Sequence, residues 1–533
     1  MEKTALILAK HLKERGVEYA YGIPGGEVLE ILEAFKQVGI EFILTKHEMG
    51  AGHMADAEAQ MKGKIGVFVS TVGPGMTNTV TPAANAYLDR TPLVVITGEM
   101  VTSLQGAYTH QVIDQQSILK PVTKTSVTLS HDSASQAIKK TLDIAEEGTP
   151  GPVHINVPTD IGGKEQVFHP RVNVKPLTHQ PSSETVSSFR QHLNEAEKPV
   201  MLVGVGVDLL KHHKSIQNFS ENWCIPVITT YKAKGVIPED HDLSIGATGL
   251  SPVVDKRHFE FIKETDLIIT VGFDPVELRA DWNLPWKENH TTLNIAENDE
   301  IHHLYHIHEN YIGNPSSLLK ELTDEAESKW DTTQLEVYKK SIQSILKPEA
   351  VEGMSPYEVI ETAREVMPRN AYATVDTGSH RILLNHVWQS YEPRTLMQSN
   401  GLGTMGYALP GSIGIKLSQP ESPVICFTGD AGLDMISGEL ALLKAYKLPV
   451  IIVVFRDETL SLIKLKQELK NFENNGCDFA TPDYPALAKA YDGRGVTVDN
   501  IQDFEAALKE AEQAETFTII DAVINPQEYR HQM

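Results

Sequence analysis

Two aspartates, Asp430 and Asp457, lie 27 positions apart, each just after a short apolar run. Val424-Ile425-Cys426-Phe427 leads into Gly429-Asp430, and Val450 to Phe455 leads into Asp457. The residues between them suit one helix, so the stretch reads as strand, helix, strand. Parallel strands joined by a single helix end side by side, and ligands gather at that edge. Two oxygen ligands there suit Mg²⁺ or Ca²⁺, and Mg²⁺ commonly completes its octahedron with water and phosphate oxygens. Gly429 and Gly432 relieve the backbone where it turns sharply. Taken alone, a solvated turn at Asp430 and an ordinary loop acid at Asp457 would read the same way.

Such a pair needs a sheet edge to hold it, and the chain carries three stretches able to build one. A length of 533 residues exceeds a single core. Short apolar strands alternate with amphipathic helices in three segments, which predicts an α/β protein of three doubly wound parallel-sheet domains. The expected boundaries are 1–168, with "KIGVFVST", "TPLVVITG" and "GPVHINVP"; 185–345, with "KPVMLVGVG", "IPVITTY" and "DLIITVGFD"; and 355–530. Polar, Pro-containing stretches at 169–184 and 346–356 read as linkers. Gly204 and Gly206 open a dinucleotide-like fingerprint, but Leu209 occupies its third glycine, so a tight turn is expected. In "IHHLYHIHEN", His302 and His306 share a helical face without the acid or cysteine a zinc site would need, so no metal is expected there.

Composition narrows the partners. Lys and Arg total 47 against 71 acidic residues, a net charge of −24. That balance argues against nucleic acid or an anionic membrane as the main partner, since both demand a basic face. No apolar stretch approaches the ~20 residues of a membrane helix, and the charged, helical N-terminus is unlike a secretory signal. Cys224, Cys426 and Cys477 lie far apart and read as free thiols of a reducing compartment. A cytoplasmic protein is expected.

Gly429-Asp430-Ala431, then some two dozen residues, then Arg456-Asp457 resembles the diphosphate–Mg²⁺ motif of thiamine diphosphate (ThDP) enzymes. In that family the motif reads Gly-Asp-Gly and, later, Asn-Asn. Alanine at the third position is familiar among acetolactate synthases, and aspartate at the second ligand position resembles their catabolic, FAD-independent type; Arg456 matches neither. The resemblance extends over nearly the whole chain. "YGIPGGEVLEIL", "TKHEMGAGHMADAEAQ" and "STVGPGMTN" are similar to the pyrimidine-binding domain. "THQVIDQQSILKPVTKTSV", "DTGSH" and "SYEPRTLMQSNGLGTMGYALPGSIG" resemble the catabolic synthases, as does "VGFDPVELRADWN" in the middle segment, so no FAD is expected.

The resemblance implies that Asp430, Asp457 and the backbone carbonyl of Thr459 ligate Mg²⁺. It makes Glu48 the glutamate that hydrogen-bonds the aminopyrimidine ring, and Met405 the bulky residue beneath the bent cofactor. Thr377, Gly378, Ser379 and His380 match a diphosphate loop, with Gly403, Gly429, Ala431, Gly432 and Leu460 beside them. Gly26, Thr71, Gly75 and Asn78 fall on the pyrimidine side, and Leu462 and Ile463 should wall the thiazole. On the substrate side, Gln111 and Lys124 match residues facing the cleft, and His110 occupies the place of the first of two histidines in pyruvate decarboxylases.

The implied activity is that of a ThDP- and Mg²⁺-dependent carboligase. It would decarboxylate a 2-oxo acid such as pyruvate and transfer the acyl unit to a second carbonyl compound. A 2-oxo acid decarboxylase or C–C lyase of the same family is the alternative, and a ThDP-binding subunit without catalysis is a third. Catabolic synthases carry lysine where this chain has Glu27; an acid facing the pocket would disfavour an anionic acceptor and favour an aldehyde or larger ketone. The family holds its cofactor between two subunits, implying a homodimer at minimum and a homotetramer by preference. Because the sequence ends soon after "FTIIDAVINP", a cleft without a long C-terminal cover is expected.

Overall fold

Leu93–Glu99, Val153–Pro158 and Gly66–Ser70 are buried at every position. Strands without an in-out alternation must be covered on both faces, which is the signature of parallel sheets wrapped by helices. The computed structural model describes residues 1–171, 180–287, 290–299, 304–323, 330–347 and 352–532. Parts of both expected linkers (172–179 and 348–351) and His302 lie outside those residues.

The first sheet comprises β1 (Tyr19–Gly22), β2 (Glu41–Leu44), β3 (Gly66–Ser70), β4 (Leu93–Glu99), β5 (Thr125–Thr128) and β6 (Val153–Pro158). Its order is β2-β1-β3-β4-β6-β5. The middle sheet comprises β7 (Pro199–Val203), β8 (Val227–Thr230), β9 (Ser244–Thr248), β10 (Leu267–Val271), β11 (Thr291–Ala296) and β12 (Glu309–Ile312), in the order β9-β8-β7-β10-β11-β12. The third comprises β13 (Tyr372–Val375), β14 (Leu396–Gln398), β15 (Val424–Gly429), β16 (Ile451–Arg456), β17 (Arg494–Val498) and β18 (Thr518–Val523). It runs β14-β13-β15-β16-β18-β17, repeating the order of the first sheet. All neighbours within these three sheets are parallel.

Strand order reverses between β1 and β3 and between β13 and β15. The connections leave on opposite faces there and open a crevice at the carboxyl ends, where α/β sheets bind ligands. The middle sheet reverses between β7 and β10.

First and third domains share one core, in which Tyr21, Met54 and Phe68 pack with Tyr407, Ile413 and Leu443. Two helices make the junction, α1 (Glu48–Lys62) and, in the third domain, Ala408–Ser418, here α2. Gly414 brings their backbones together: a Cβ on it would lie 2.4 Å from the Met54 carbonyl oxygen. Inside the contact, Tyr407 Oη donates to Asp56 Oδ2 at 2.9 Å, and burial pushes the Asp56 carboxyl up to about 6. The middle domain keeps a core of its own, from Val186 to Leu335. The three cysteines are free thiols. Among the described residues, no helix is long and apolar enough to cross a membrane.

Candidate active site

In the third domain, the ends of β13, β15 and β16 converge. Gly429 on β15 is paired with Phe455 on β16, so Asp430 and Asp457 emerge at one edge. Asp430 Oδ2 accepts the backbone N–H groups of Asp457 at 3.1 Å and Glu458 at 2.8 Å, and Oδ1 accepts that of Ala431 at 2.8 Å. Asp457 accepts from the Ser461 hydroxyl and the Thr459 N–H. Burial, reinforced by the charge of Asp430, pushes the Asp457 carboxyl up to about 7; burial also raises Asp430. Two desolvated carboxylates at one edge are each made easier to keep ionised by a cation between them.

Both acids line a cavity of about 140 Å³ with Thr377, Ser379, His380 and Tyr529. Thr377 Oγ1, Ser379 Oγ, His380 Nε2 and Tyr529 Oη are buried without a hydrogen-bond partner. Burial pulls the His380 imidazole down to about 3, so it is neutral, and its ring stacks on Phe455 at 5.2 Å. Met405, Leu460, Leu462 and Ile463 form an apolar wall. Asp376 ties the floor together by accepting the N–H groups of Gly406 at 2.9 Å and Tyr407 at 3.0 Å. A Cβ on Gly432 would lie 2.2 Å from the same carboxylate. Gly403, with φ +65°, supplies the turn before Met405.

In the first domain, Glu48 opens α1 and is nearly buried. Its Oε2 accepts from Asn78 Nδ2 at 2.9 Å. A Cβ on Gly75 would stand 3.2 Å from Glu48 Oε1 and 2.8 Å from Thr71 Cγ2, so this carboxylate, glycine and threonine form one tight group. Thr71 Oγ1 donates to Glu27 Oε2 at 2.7 Å, which places Glu27 at the same sheet edge; Gly26 beside it is exposed. The backbone ahead of Glu48 is held by the third domain: Glu439 Oε1 accepts the N–H groups of Lys46 and His47, each at 3.0 Å. Gln111 adopts φ +60° and lies over Gly73, whose Cβ would meet the Gln111 carbonyl oxygen at 2.7 Å. His110 is exposed, with its ring edge-on to Tyr108.

Three family models match in chain order. They are the thiamine pyrophosphate enzyme N-terminal TPP binding domain over residues 2–118, the central domain over 186–322, and the C-terminal TPP binding domain over 376–522. The acetolactate synthase isozyme 3 large subunit of Escherichia coli (strain K12) is 30% identical, covering 99% of this chain and 96% of its own. A probable acetolactate synthase large subunit of Methanocaldococcus jannaschii is 31% identical, over 99% of this chain and 92% of its own. One of Methanococcus aeolicus is 28% identical, over 97% and 91%. The chain belongs to the thiamine pyrophosphate enzymes.

As a ThDP enzyme, the chain has groups that fit the cofactor. The unpartnered hydroxyls of Thr377 and Ser379 are donors a diphosphate would need, and the neutral His380 ring lies beside them, 2.6 Å from where a Cβ on Gly378 would sit. The oxygen-only pair Asp430 and Asp457 suits a hard cation that takes its remaining ligands from phosphate and water. Among the described residues, no group of three or more His, Cys, Asp or Glu side chains gathers as a metal site, so this pair would not suffice without those further oxygens. Arg456, unexplained by the motif, has a structural partner: its Nε donates to Asp521 Oδ1 on β18 at 2.8 Å, and its Nη1 approaches Glu458.

Not every residue expected at the site is brought to it. The Lys124 ammonium donates to the carbonyls of Ile144 and Glu147, at the C-terminal end of the helix Ala134–Glu146, where a cation is favoured. Three residues were missed. Asp376 lies in the quoted "DTGSH" and could have been read there. Gln115 holds the loop at Gly73, its Oε1 accepting from Gly73 N–H at 3.1 Å and its Nε2 donating to the Gly98 carbonyl at 2.9 Å. Tyr529 gave no sequence signal. The short turn Pro526–Gln532 folds back, and its Tyr529 walls the cavity.

Proposed function

We propose that this ThDP enzyme is a Mg²⁺-dependent carboligase of the acetolactate synthase kind, acting on a 2-oxo acid such as pyruvate and a second carbonyl compound. The observation that carries the reading is likeness to acetolactate synthases along nearly the whole chain, with Glu48 set at a switch-point crevice. Asp430, Asp457 and the Thr459 carbonyl would hold Mg²⁺, and Thr377, Ser379 and His380 the diphosphate. Glu48 would meet the pyrimidine, beside Gly75 and Thr71. When bound, ThDP supplies a carbon nucleophile and a sink for the electrons released as the 2-oxo acid loses CO₂.

The chain's own residues do the rest. Asn78 orients the Glu48 carboxylate, whose role is to accept and return a proton at Oε1. The wall of Met405, Leu460, Leu462 and Ile463 keeps water from competing with the acceptor carbonyl. Gln111, held over Gly73, is the substrate-side residue this reading retains.

The third-domain cavity is lined by none of the first-domain set. This supports a homodimer with sites shared between copies, and a homotetramer as two such dimers. Glu27, hydrogen-bonded to Thr71 at the Glu48 edge, disfavours a second anionic substrate and supports a neutral aldehyde or ketone acceptor. The reading includes no FAD and a cytoplasmic location.

Product analysis tests it. With ThDP, Mg²⁺ and pyruvate, adding an aldehyde or ketone should yield a ligated hydroxyketone. Acetaldehyde as sole product under every condition would reject ligation in favour of decarboxylation. Glu48→Gln should lower turnover by at least ~100-fold while ThDP still binds; an unchanged rate would overturn the role of Glu48.

A further inference from the structure

Tyr529 lies in the turn Pro526–Gln532, is 3% exposed, and lines the same cavity as Asp430, Asp457 and Ser379. Its hydroxyl has no hydrogen-bond partner, although a phenol seldom stays buried without one. The turn is fastened on both sides of it. Ser355 donates to Glu528, Arg530 donates to Glu468, and Gln532 Nε2 donates to the carbonyl of Ser379 at 3.0 Å. A further contact runs to the middle domain, where Ser251 Oγ donates to the Gln532 carbonyl at 2.8 Å. The ring is therefore placed deliberately, and one anchor grips the very loop that carries the unpartnered Ser379 hydroxyl.

Beside the Tyr529 hydroxyl, those of Thr377 and Ser379, residues that line the same cavity, are also buried without partners. A cavity lined by unpaired donors next to a carboxylate pair matches an anionic, oxygen-rich ligand carried with a divalent cation.

We propose that Tyr529 is a diphosphate-binding residue, donating a hydrogen bond from Oη to the phosphate oxygens of the cofactor. The inference rests on the ThDP reading above and adds that the C-terminal turn is part of the binding site. Binding and docking of the turn are then linked: a ligand held by Tyr529 stabilises the docked turn, and the docked turn raises affinity for the ligand.

Titration calorimetry on the apo protein at fixed Mg²⁺ tests this with two probes, ThDP and inorganic pyrophosphate. Tyr529→Phe should weaken both about tenfold, the loss of one hydrogen bond to a charged acceptor, with the apo melting temperature unchanged. Equal affinity of variant and wild type for pyrophosphate would overturn the proposal. In the wild type, ThDP with Mg²⁺ should also slow amide exchange across residues 526–532; unchanged exchange there would overturn the linkage. A wild-type protein that binds neither probe would instead defeat the ThDP reading itself, so the two failures are distinguishable.

Discussion

At the β1–β3 crevice the carboxylates are separately partnered: Glu48 accepts from the Asn78 amide and packs against Thr71 and Gly75, and Glu27 accepts from the Thr71 hydroxyl. At the β13–β15 crevice two carboxylates share an edge, and several donors go without acceptors. The strand orders are the same, so topology fixes where polar residues collect and leaves open what they do. The satisfied crevice is finished as it stands and suits a group that exchanges a proton. The unsatisfied one is incomplete until an anion and a cation enter. The middle domain has a different strand order and a separate core.

The contrast is sharpest if each crevice fails in its own way. Asp430→Asn should lower Mg²⁺-dependent ThDP affinity by at least ~100-fold, beyond the loss usual for a residue that merely supports a metal ligand. Glu48→Gln should leave that affinity near wild type, and equal losses in a binding titration would erase the distinction. A smaller effect should strike both crevices at once. Gly414→Ala puts a Cβ 2.4 Å from the Met54 backbone oxygen, at the helix crossing both domains share. Overpacking of this kind costs about 1–3 kcal/mol, read as a lower melting temperature with the apo and ThDP-bound forms shifted alike.

The smallest effect is a pH dependence at the link between the crevices. Burial pushes the Glu439 carboxyl up to about 7 from an ordinary 4.5. The folded protein keeps a proton that the unfolded chain has released, so this group's stabilisation is complete below about 4.5 and is lost as pH rises towards 7. Glu439→Gln should flatten the fall of melting temperature across that window, by no more than the ~1.4 kcal/mol per pH unit a single proton allows. An unchanged slope would remove Glu439 from the link.

Much of the third-domain crevice was legible because its evidence is local. The apolar runs before Asp430 and Asp457, the glycines flanking Asp430 and the 27-residue spacing all follow from one strand-to-strand crossover, although the single helix expected in it is broken into Asp430–Ile436, a turn at Ser437–Glu439 and Leu440–Tyr446. The three parallel sheets were legible for the same reason: buried strands write themselves as unbroken apolar runs. What escaped depends on distant partners. Arg456 looked anomalous until Asp521, 65 positions on, accounted for it. Lys124 had a plausible motif, but its ammonium serves a helix end that no motif marks. Tyr529 has nothing around it in sequence to set it apart, because its surroundings are assembled from loops after β13, β15 and β16.

The shared core has a consequence for synthesis. Asp56 waits for Tyr407, a partner 351 positions downstream. At ordinary translation speeds of about 5–20 residues per second, roughly 20–70 s separate the two. Through that interval the face of α1 that α2 will cover stays open, while the middle domain, with a core of its own, emerges between the two.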